Sequence, residues 1–169
     1  MSLLDKIRSS LTSGRTDNTV DESTNQDERR RNKRVNARPG TKMLIIDDSK
    51  TVCTLLKKML LQNQYEVGIA LDGETGFRLA KEHLPDLIFL DIVLPGINGF
   101  QVLRQLRKDP KTKDIPIIMI SGNVLATEKY YAERFGADDF MKKPFSRYEV
   151  FHRIENFIGI DKRIRRIAS

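Results

Sequence analysis

Five short apolar runs alternate with amphipathic segments from Lys42 onward, and this alternation restricts the possible folds more than any other feature of the chain. Each crossover between parallel strands needs a helix that packs back onto the sheet, so strict alternation implies a parallel sheet with helices on both faces. We therefore predict a three-layer α/β sandwich with a five-stranded parallel sheet. The predicted strands, most of them rich in β-branched or aromatic residues, are Lys42–Ile46, Tyr65–Ala70, Asp86–Leu90, Ile115–Ile120 and Asp138–Met141.

The segments between these strands have the apolar spacing of helices. After Ser49, which can cap a helix, apolar residues recur at intervals of three and four. The third and fourth strands lack polar alternation, which is typical of strands buried on both faces. Beyond this first helix, with apolar positions Val52, Leu55, Leu56, Met59 and Leu60, we predict helices at Glu74–His83, Phe100–Lys108, Ala126–Phe135 and Arg147–Ile158.

Positive charge is concentrated outside the alternating region. The 169 residues have a formal net charge of +7, and residues 1–41 hold nine Lys or Arg against six Asp or Glu, while residues 161–169 hold four against one. The stretch Ser9–Gly40 has too few large apolar residues to offset the entropy of ordering it. We predict a disordered basic and polar extension at 1–41, one globular domain at 42–160, and a basic tail at 161–169.

Three features of the sequence bear on the cellular location. Cys53 is the single cysteine, which excludes an internal disulfide and fits a reducing compartment. No apolar run approaches the roughly 20 residues needed to span a bilayer. The first residues also lack the basic region and long apolar region of a secretory signal. Together these features predict a cytoplasmic protein.

Polar side chains follow four of the predicted strands. Asp47 and Asp48 follow the first strand, Asp91 the third and Ser121 the fourth, and Lys143 comes soon after the fifth. The carboxyl ends of parallel strands meet at one sheet edge, where open α/β folds place their sites. Carboxylates suit Mg²⁺, and an aspartate can also accept a phosphoryl group while a metal and a lysine neutralise its charge. The pattern predicts a site for a divalent cation and a phosphoryl group.

Each feature has a simpler interpretation when it is taken alone. A double acid before a helix is more often a favourable N-terminal cap. Asp91 could open a turn, and Ser121 followed by Gly122 could be an ordinary exit from a strand. Lys143 could be solvated together with Lys142. The functional interpretation depends on the placement of all these residues after strands one, three, four and five of a single series.

Residues 42–160 resemble the receiver domain of bacterial two-component response regulators, the CheY-like family, whose fold is a flavodoxin-like (βα)5 unit. Four segments carry the resemblance in the family's order and spacing. They are Leu44–Ser49 (LIIDDS), Leu90–Gly99 (LDIVLPGING), Ile120–Gly122 (ISG) and Lys143–Phe145 (KPF).

The resemblance implies a phosphoacceptor and a metal site. Asp91 matches the phosphoacceptor, and Asp47 and Asp48 match the acidic pair that holds Mg²⁺. The backbone carbonyl of Val93 matches a further metal contact. Because the Val93 side chain has no group to orient an attacking water, we also expect the phosphorylated form to decay at a modest rate.

The resemblance also implies a conformational switch. Ser121 matches the hydroxyl residue that reorients toward the phosphoryl group, and Phe140 matches the aromatic switch residue. Lys143 matches the lysine that contacts the phosphate, and its bond to Pro144 is typically cis in this family. These roles imply a switch rather than an enzyme, with self-phosphorylation from phosphodonors and self-dephosphorylation as the expected chemistry.

The family's partners and output can be carried over as expectations. The phosphodonor would be a histidine kinase, and only nine residues follow the predicted domain, so we expect a stand-alone receiver that docks onto another protein. The family's docking face corresponds to about Ala126–Ile158. The expected oligomeric state is a monomer or a phosphorylation-dependent dimer. Ile46–Thr51 and Lys143–Ser146 also resemble regulators of type IV pilus twitching motility, which points to a chemotaxis-like or motility pathway.

The sequence also allows functions of other classes. The basic clusters Arg29–Arg34 and Lys162–Arg166 could contact nucleic acid or anionic lipid, or they could be solvated flanks. Nucleic acid is the less favoured partner because no reader motif or interleaved aromatic residue accompanies the charge. A scaffold that is never phosphorylated is disfavoured by the complete acid set, and an independent phosphatase by the lack of an Asp-x-Asp pair after the first strand.

Overall fold

The computed structural model of the chain describes residues 34–122 and 133–167. The predicted extension at 1–41 and the predicted helix Ala126–Phe135 lie largely outside these described residues. Among the described residues, no helix is long and apolar enough to cross a membrane. The strands are β1 (Lys42–Ile46), β2 (Glu66–Ala70), β3 (Leu87–Asp91), β4 (Ile117–Ser121) and β5 (Asp139–Lys142), and the helices are α1 (Lys50–Leu61), α2 (Gly73–His83), α3 (Gly99–Lys108) and α4 (Arg147–Glu155).

All five strands pair in parallel and form one sheet in the order β2-β1-β3-β4-β5. This arrangement confirms the predicted α/β fold. The chain runs from β1 outward to β2 and then returns to the other side of β1 for β3. The strand order therefore reverses between β1 and β3, and α/β sheets bind ligands in the crevice that opens at such a point.

The sheet separates two apolar cores, one on each face. Ile45, Phe89 and Ile118 lie in the core under α1 and α4. Their neighbours Ile46 and Leu90 point to the opposite core, under α2 and α3. Side chains of this size each contribute about 1.5–3 kcal/mol when they leave water completely. Burial of alternate residues on opposite faces therefore fixes the register of the strands that carry the acidic residues.

Local capping explains where the helices begin. Ser49 accepts a hydrogen bond from the Val52 N–H at 3.3 Å, as predicted for a helix cap. The helices α2 and α3 begin one residue before the predicted starts because Asp72 and Asn98 cap them. The helix α4 ends at Glu155, three residues before the predicted end, because the N–H groups of Phe157 and Ile158 donate to carbonyls three residues back instead of four.

The segments on either side of the sheet series contact each other at the amino ends of the strands. Ala37 is buried, and its N–H donates to the Tyr65 hydroxyl at 3.1 Å. The Arg38 N–H donates to the Lys162 carbonyl at 3.1 Å, which joins the segment before β1 to the segment after α4. Ile164 is buried in the same core as Tyr65. Both chain segments therefore lie at the amino ends of the strands, whereas the acidic residues lie at the carboxyl ends.

Candidate metal and phosphoryl site

The acidic residues meet where the strand order reverses. Asp47 directly follows β1, and Asp91 is the last residue of β3. Both are buried, with relative exposures of 0% and 4%, whereas Asp48 is exposed. Carboxylate oxygens of the three residues lie within 4.8 Å of one another. The predicted cluster of three carboxylates is therefore formed by the fold.

Lys143 bridges the two buried carboxylates. Its Nζ lies 2.9 Å from Asp91 Oδ2 and 2.6 Å from Asp47 Oδ2. The backbone also holds this residue at the site, because the Lys143 N–H donates to the Ser121 carbonyl at 2.8 Å. The Lys143–Pro144 peptide bond is cis. The ammonium group thus offsets part of the negative charge of the cluster.

Burial and mutual charge determine the ionisation of these groups. Burial raises the pKa of the Asp91 carboxyl, and the Asp47 carboxylate adds to this effect, while Lys143 opposes it. Burial alone would lower the pKa of Lys143, but its bonds to Asp47 and Asp91 outweigh this effect, and the pKa is raised. Lys143 therefore remains a cation at neutral pH.

The donor set fits a hard divalent cation. Mg²⁺ prefers oxygen ligands and keeps several of its waters, so it needs only a few carboxylates. Three carboxylates with one ammonium leave an excess of negative charge that a cation would neutralise. The Ser49 N–H donates to Asp47 Oδ1 at 2.8 Å, which fixes the orientation of this carboxylate. Asp48 is exposed and can reach an ion that retains part of its water shell.

The remaining predicted residues lie in the loop after β3, in β4 and in β5. The Val93 N–H lies 3.4 Å from Asp91 Oδ1, and the Val93 side chain is exposed. Ser121 is buried at the end of β4, one residue beyond the partner of Asp91 in the register between β3 and β4. Phe140 lies in β5 and packs in the core under α2 and α3, opposite Met119 in the register. The roles assigned to these side chains remain predictions.

Two residues that the sequence reasoning did not single out shape the loop after Asp91. Gly99 packs so closely against β3 that a Cβ atom there would lie 2.1 Å from the Asp91 carbonyl oxygen. Glu74, at the start of α2, accepts a hydrogen bond from the Ile97 N–H at 3.3 Å. The glycine was visible in the sequence, but the close approach of two backbones leaves no local sequence signal.

Cys53 is buried next to Asp47, and its thiol is not exposed to solvent. Its thiol donates to the Asp47 carbonyl at 3.2 Å and is buried. Burial, with a further contribution from the Asp47 carboxylate, raises the pKa of Cys53 to about 11. The thiol is therefore protonated at neutral pH and packs as a small apolar group.

Comparison with known proteins identifies the matched region. The family model of the response regulator receiver domain matches residues 43–155. The chain is 35% identical over 134 residues to the response regulator PleD of Caulobacter vibrioides, covering 77% of this chain but only 30% of PleD. It is 42% identical over 103 residues to the protein PilH of Pseudomonas aeruginosa, covering 61% of this chain and 85% of PilH.

A solved structure has a similar fold and contains a metal. The receiver domain of the sensor histidine kinase PA1611 from Pseudomonas aeruginosa PAO1 aligns with a TM-score of 0.64 and 29% sequence identity. The alignment covers 69% of this chain and 95% of that domain. That structure has a magnesium ion coordinated in its active site cleft. The carboxylate cluster, the strand order and the matched segment are therefore all consistent with a receiver domain.

Proposed function

Because this chain belongs to the response regulator receiver family, we propose that it is a signalling switch whose Asp91 accepts a phosphoryl group from a histidine kinase. The observation that carries the proposal is the contact of Lys143 with both Asp91 and Asp47, in a cluster of three carboxylates. This contact places a nucleophile, the Asp91 carboxylate, directly beside a cation, the Lys143 ammonium. Phosphoryl transfer needs this combination of positioning and charge neutralisation.

The transfer can be written in terms of the groups in the cluster. An Asp91 carboxylate oxygen attacks the phosphorus atom of a phosphohistidine, a P–O bond forms, and the P–N bond breaks. The histidine imidazole leaves with the bonding electron pair. Lys143, already 2.9 Å from Asp91 Oδ2, stabilises the negative charge on the phosphoryl oxygens. The protein's contribution is mainly electrostatic, and its role is signalling rather than metabolic turnover.

The metal in this proposal is Mg²⁺. Asp47, Asp48 and Asp91 would hold the ion, with the Val93 carbonyl as a further ligand. Bound there, the ion would supply positive charge to the phosphoryl oxygens. The carboxylate cluster and the magnesium ion in the PA1611 receiver domain support this assignment.

The switch follows from the added charge. Phosphorylation replaces the single negative charge of the carboxylate by about one and a half to two negative charges on the phosphoryl group and adds acceptor oxygens. Ser121 and Lys143 would bond these oxygens, and Phe140 would move into the space that Ser121 leaves. A conformation with this arrangement would then become more populated, because the phosphoryl group binds it more favourably.

Output and location remain proposals. We propose that the switch acts by protein docking through the face at about Ala126–Ile158, in a chemotaxis-like or motility pathway, as a monomer or a phosphorylation-dependent dimer. The match to PilH covers 85% of the length of PilH. This similarity supports a regulator that acts through the receiver domain itself. The cytoplasmic location and the domain boundaries at 42 and 160 also remain predictions.

The proposal can be tested with a small-molecule phosphodonor. The full chain, the Asp91→Ala variant and a control, Asp114→Ala, are incubated with acetyl phosphate and Mg²⁺ and then examined by intact mass spectrometry. Asp114 is an exposed acid that follows α3, away from the carboxylate cluster. We expect one hydroxylamine-labile phosphate on the wild type and the control, and none on Asp91→Ala. Equal labelling of Asp91→Ala would refute the assignment of the acceptor.

A further inference from the structure

The segment that follows α4 folds back as a short hairpin. Phe157 and Ile164 are buried, and Ile158 forms an antiparallel bridge with Ile164. The Arg165 N–H donates to the Phe157 carbonyl at 2.9 Å, which closes the hairpin. The family model ends at residue 155, so this hairpin lies beyond the part of the chain that the family describes.

Two anchors hold the hairpin at the amino ends of the strands. Arg166 Nε lies 2.6 Å from Asp138 Oδ1, just before β5, and Arg107 binds the other oxygen of the same carboxylate at 2.6 Å. The Asp138 side chain is only 7% exposed. Arg38, just before β1, donates through Nε to the Asp161 carbonyl at 2.9 Å. The hairpin is therefore an ordered part of the domain, at the edge opposite Asp91.

The tip of the hairpin presents an aliphatic side chain to solvent. The turn Gly159–Lys162 is closed by the Lys162 N–H, which donates to the Gly159 carbonyl at 2.9 Å. Ile160, at the tip, has a relative exposure of 107%, so no described residue covers it. Ile158 and Ile164 on the two arms pack against the core instead. The fold thus holds the arms of the hairpin and leaves its tip free.

Positive charge surrounds this tip. Arg38, Lys162 and Arg163 are all exposed. The acid of the turn, Asp161, has an ion pair with Arg165 and lies 4.0 Å from Arg163 Nε, so this single carboxylate faces four cations (Arg38, Lys162, Arg163 and Arg165) and the turn keeps a net positive charge. A single exposed aliphatic residue is ordinary on a protein surface. An aliphatic tip at an ordered turn with three exposed cations is a combination that folding alone does not require.

We propose that Arg38, Ile160, Lys162 and Arg163, here called the basic turn, form a docking site for an anionic lipid bilayer. The cations would contact anionic headgroups, and Ile160 would enter the boundary between headgroups and acyl chains. A nucleic acid would use the cations but would gain nothing from an aliphatic tip, and the basic turn has no aromatic side chain for base stacking. This proposal does not depend on phosphorylation of Asp91.

The position of the basic turn leaves the proposed phosphorylation site accessible. Arg38 precedes β1 and Asp138 precedes β5, whereas Asp47 and Asp91 lie at the carboxyl ends of their strands. Because all five strands are parallel, the first group lies at the amino ends of the strands and the second group at the carboxyl ends. A bilayer bound at the basic turn would therefore not cover the carboxylate cluster.

A fluorescence experiment tests insertion of the tip directly. The chain contains no tryptophan, so Ile160→Trp introduces a single indole at the tip. Leu61→Trp, at an exposed aliphatic position on α1, is the matched control. We expect vesicles of phosphatidylglycerol and phosphatidylcholine to shift the emission of Ile160→Trp to shorter wavelength and to leave Leu61→Trp unchanged. The absence of a shift at position 160 would overturn the proposal.

A binding experiment in the full chain tests the cations. The test variant carries Ile160→Ser, Lys162→Asn and Arg163→Gln; asparagine suits position 162 because Lys162 has a φ of 60°. The control variant, which loses the same number of charges and one exposed aliphatic side chain on α1, carries Lys57→Gln, Lys58→Gln and Leu61→Ser. Thermal melting first establishes that both variants are folded.

The outcomes of the binding experiment separate the candidate partners. We expect the wild type and the control variant to sediment with the anionic vesicles and not with phosphatidylcholine alone, and the test variant to bind about tenfold more weakly. Equal sedimentation of the test variant would overturn the proposal. Retention on double-stranded DNA that the test variant loses, with no vesicle binding by the wild type, would also overturn it and would assign the basic turn to nucleic acid.

Discussion

Replacing Gly99 by alanine tests how the fold supports Asp91, the proposed phosphoacceptor. The new Cβ would lie 2.1 Å from the Asp91 carbonyl oxygen and 2.8 Å from the Ile92 Cα. Both atoms belong to the backbone, so no side-chain rotation can relieve the contact. The shorter distance falls about 1.4 Å below an ordinary van der Waals contact, so the β3 end or the α3 start must move by roughly that amount.

The size of the effect follows from this displacement. Overpacking of a core costs about 1–3 kcal/mol or more, and this contact is between rigid elements, so we expect a loss of at least about 3 kcal/mol in the free energy of unfolding. For a domain of this size that loss lowers the melting temperature by about 10 °C. The movement also displaces Asp91, and a misplacement near 1 Å costs up to about a hundredfold in rate. Labelling by acetyl phosphate should slow by at least about tenfold.

A matched glycine provides the control. At Gly68, in β2, an added Cβ would make an ordinary contact of 3.4 Å with Leu44 Cδ1, far from the carboxylate cluster. Urea unfolding and the rate of labelling are measured for the wild type, Gly99→Ala and Gly68→Ala. We expect Gly68→Ala to resemble the wild type in both measurements. A Gly99→Ala variant with the stability and the labelling rate of the wild type would refute the argument from backbone contact.

Three further predictions concern single side chains. Lys143→Ala should slow labelling by acetyl phosphate about tenfold or more, because the cation beside Asp91 is lost; Lys142→Ala is the control, and an unchanged rate would contradict the assigned role. Asp138→Asn should lower the free energy of unfolding in urea by about 2–4 kcal/mol, because it weakens both arginine pairs and leaves Arg107 buried beside a neutral group; a loss as small as that of Asp114→Asn would contradict this. The pKa of the Cys53 thiol is about 11 in the folded protein and 9.0 for the free group. The unfolded chain therefore loses this proton at a lower pH than the folded protein, and the free energy of unfolding should fall as the pH rises from 9.0 to about 11. The Cys53→Ala variant should lack this part of the pH dependence.

The parts of the fold that depend on local pattern could be predicted from the sequence. The apolar runs indicated five strands, and the crossover rule indicated that these strands are parallel; the sheet confirms both predictions. The cluster of Asp47, Asp48 and Asp91 followed from their positions after two strands, because parallel strands end at the same edge. The helices α2 and α3 each start one residue before the predicted start, directly after the caps Asp72 and Asn98, whereas α4 starts at the predicted Arg147.

The parts that depend on contacts between distant residues could not be predicted. Arg166 and Asp138 are 28 positions apart, and no periodicity relates them. Arg107 was one polar residue of a predicted amphipathic helix, although its guanidinium binds the buried Asp138 carboxylate. The raised pKa of Lys143 likewise results from two carboxylates on other strands. In each case the interaction arises only when the sheet is assembled, so a single sequence carries no local signal of it.

The strand β5 connects the two ends of the sheet chemically. Asp138, just before it, is the anchor of the hairpin through Arg166, and Lys143, just after it, contacts Asp91. The four residues of β5 lie between these positions, so five residue steps separate them, a distance of about 16 Å along an extended chain. A movement of Lys143 toward a phosphoryl group would therefore be absorbed within β5 or at its carboxyl end, because the amino end is held by two arginines on one buried carboxylate. With the amino end fixed, Lys143 at the carboxyl end would respond to phosphorylation of Asp91 while the basic turn keeps its place.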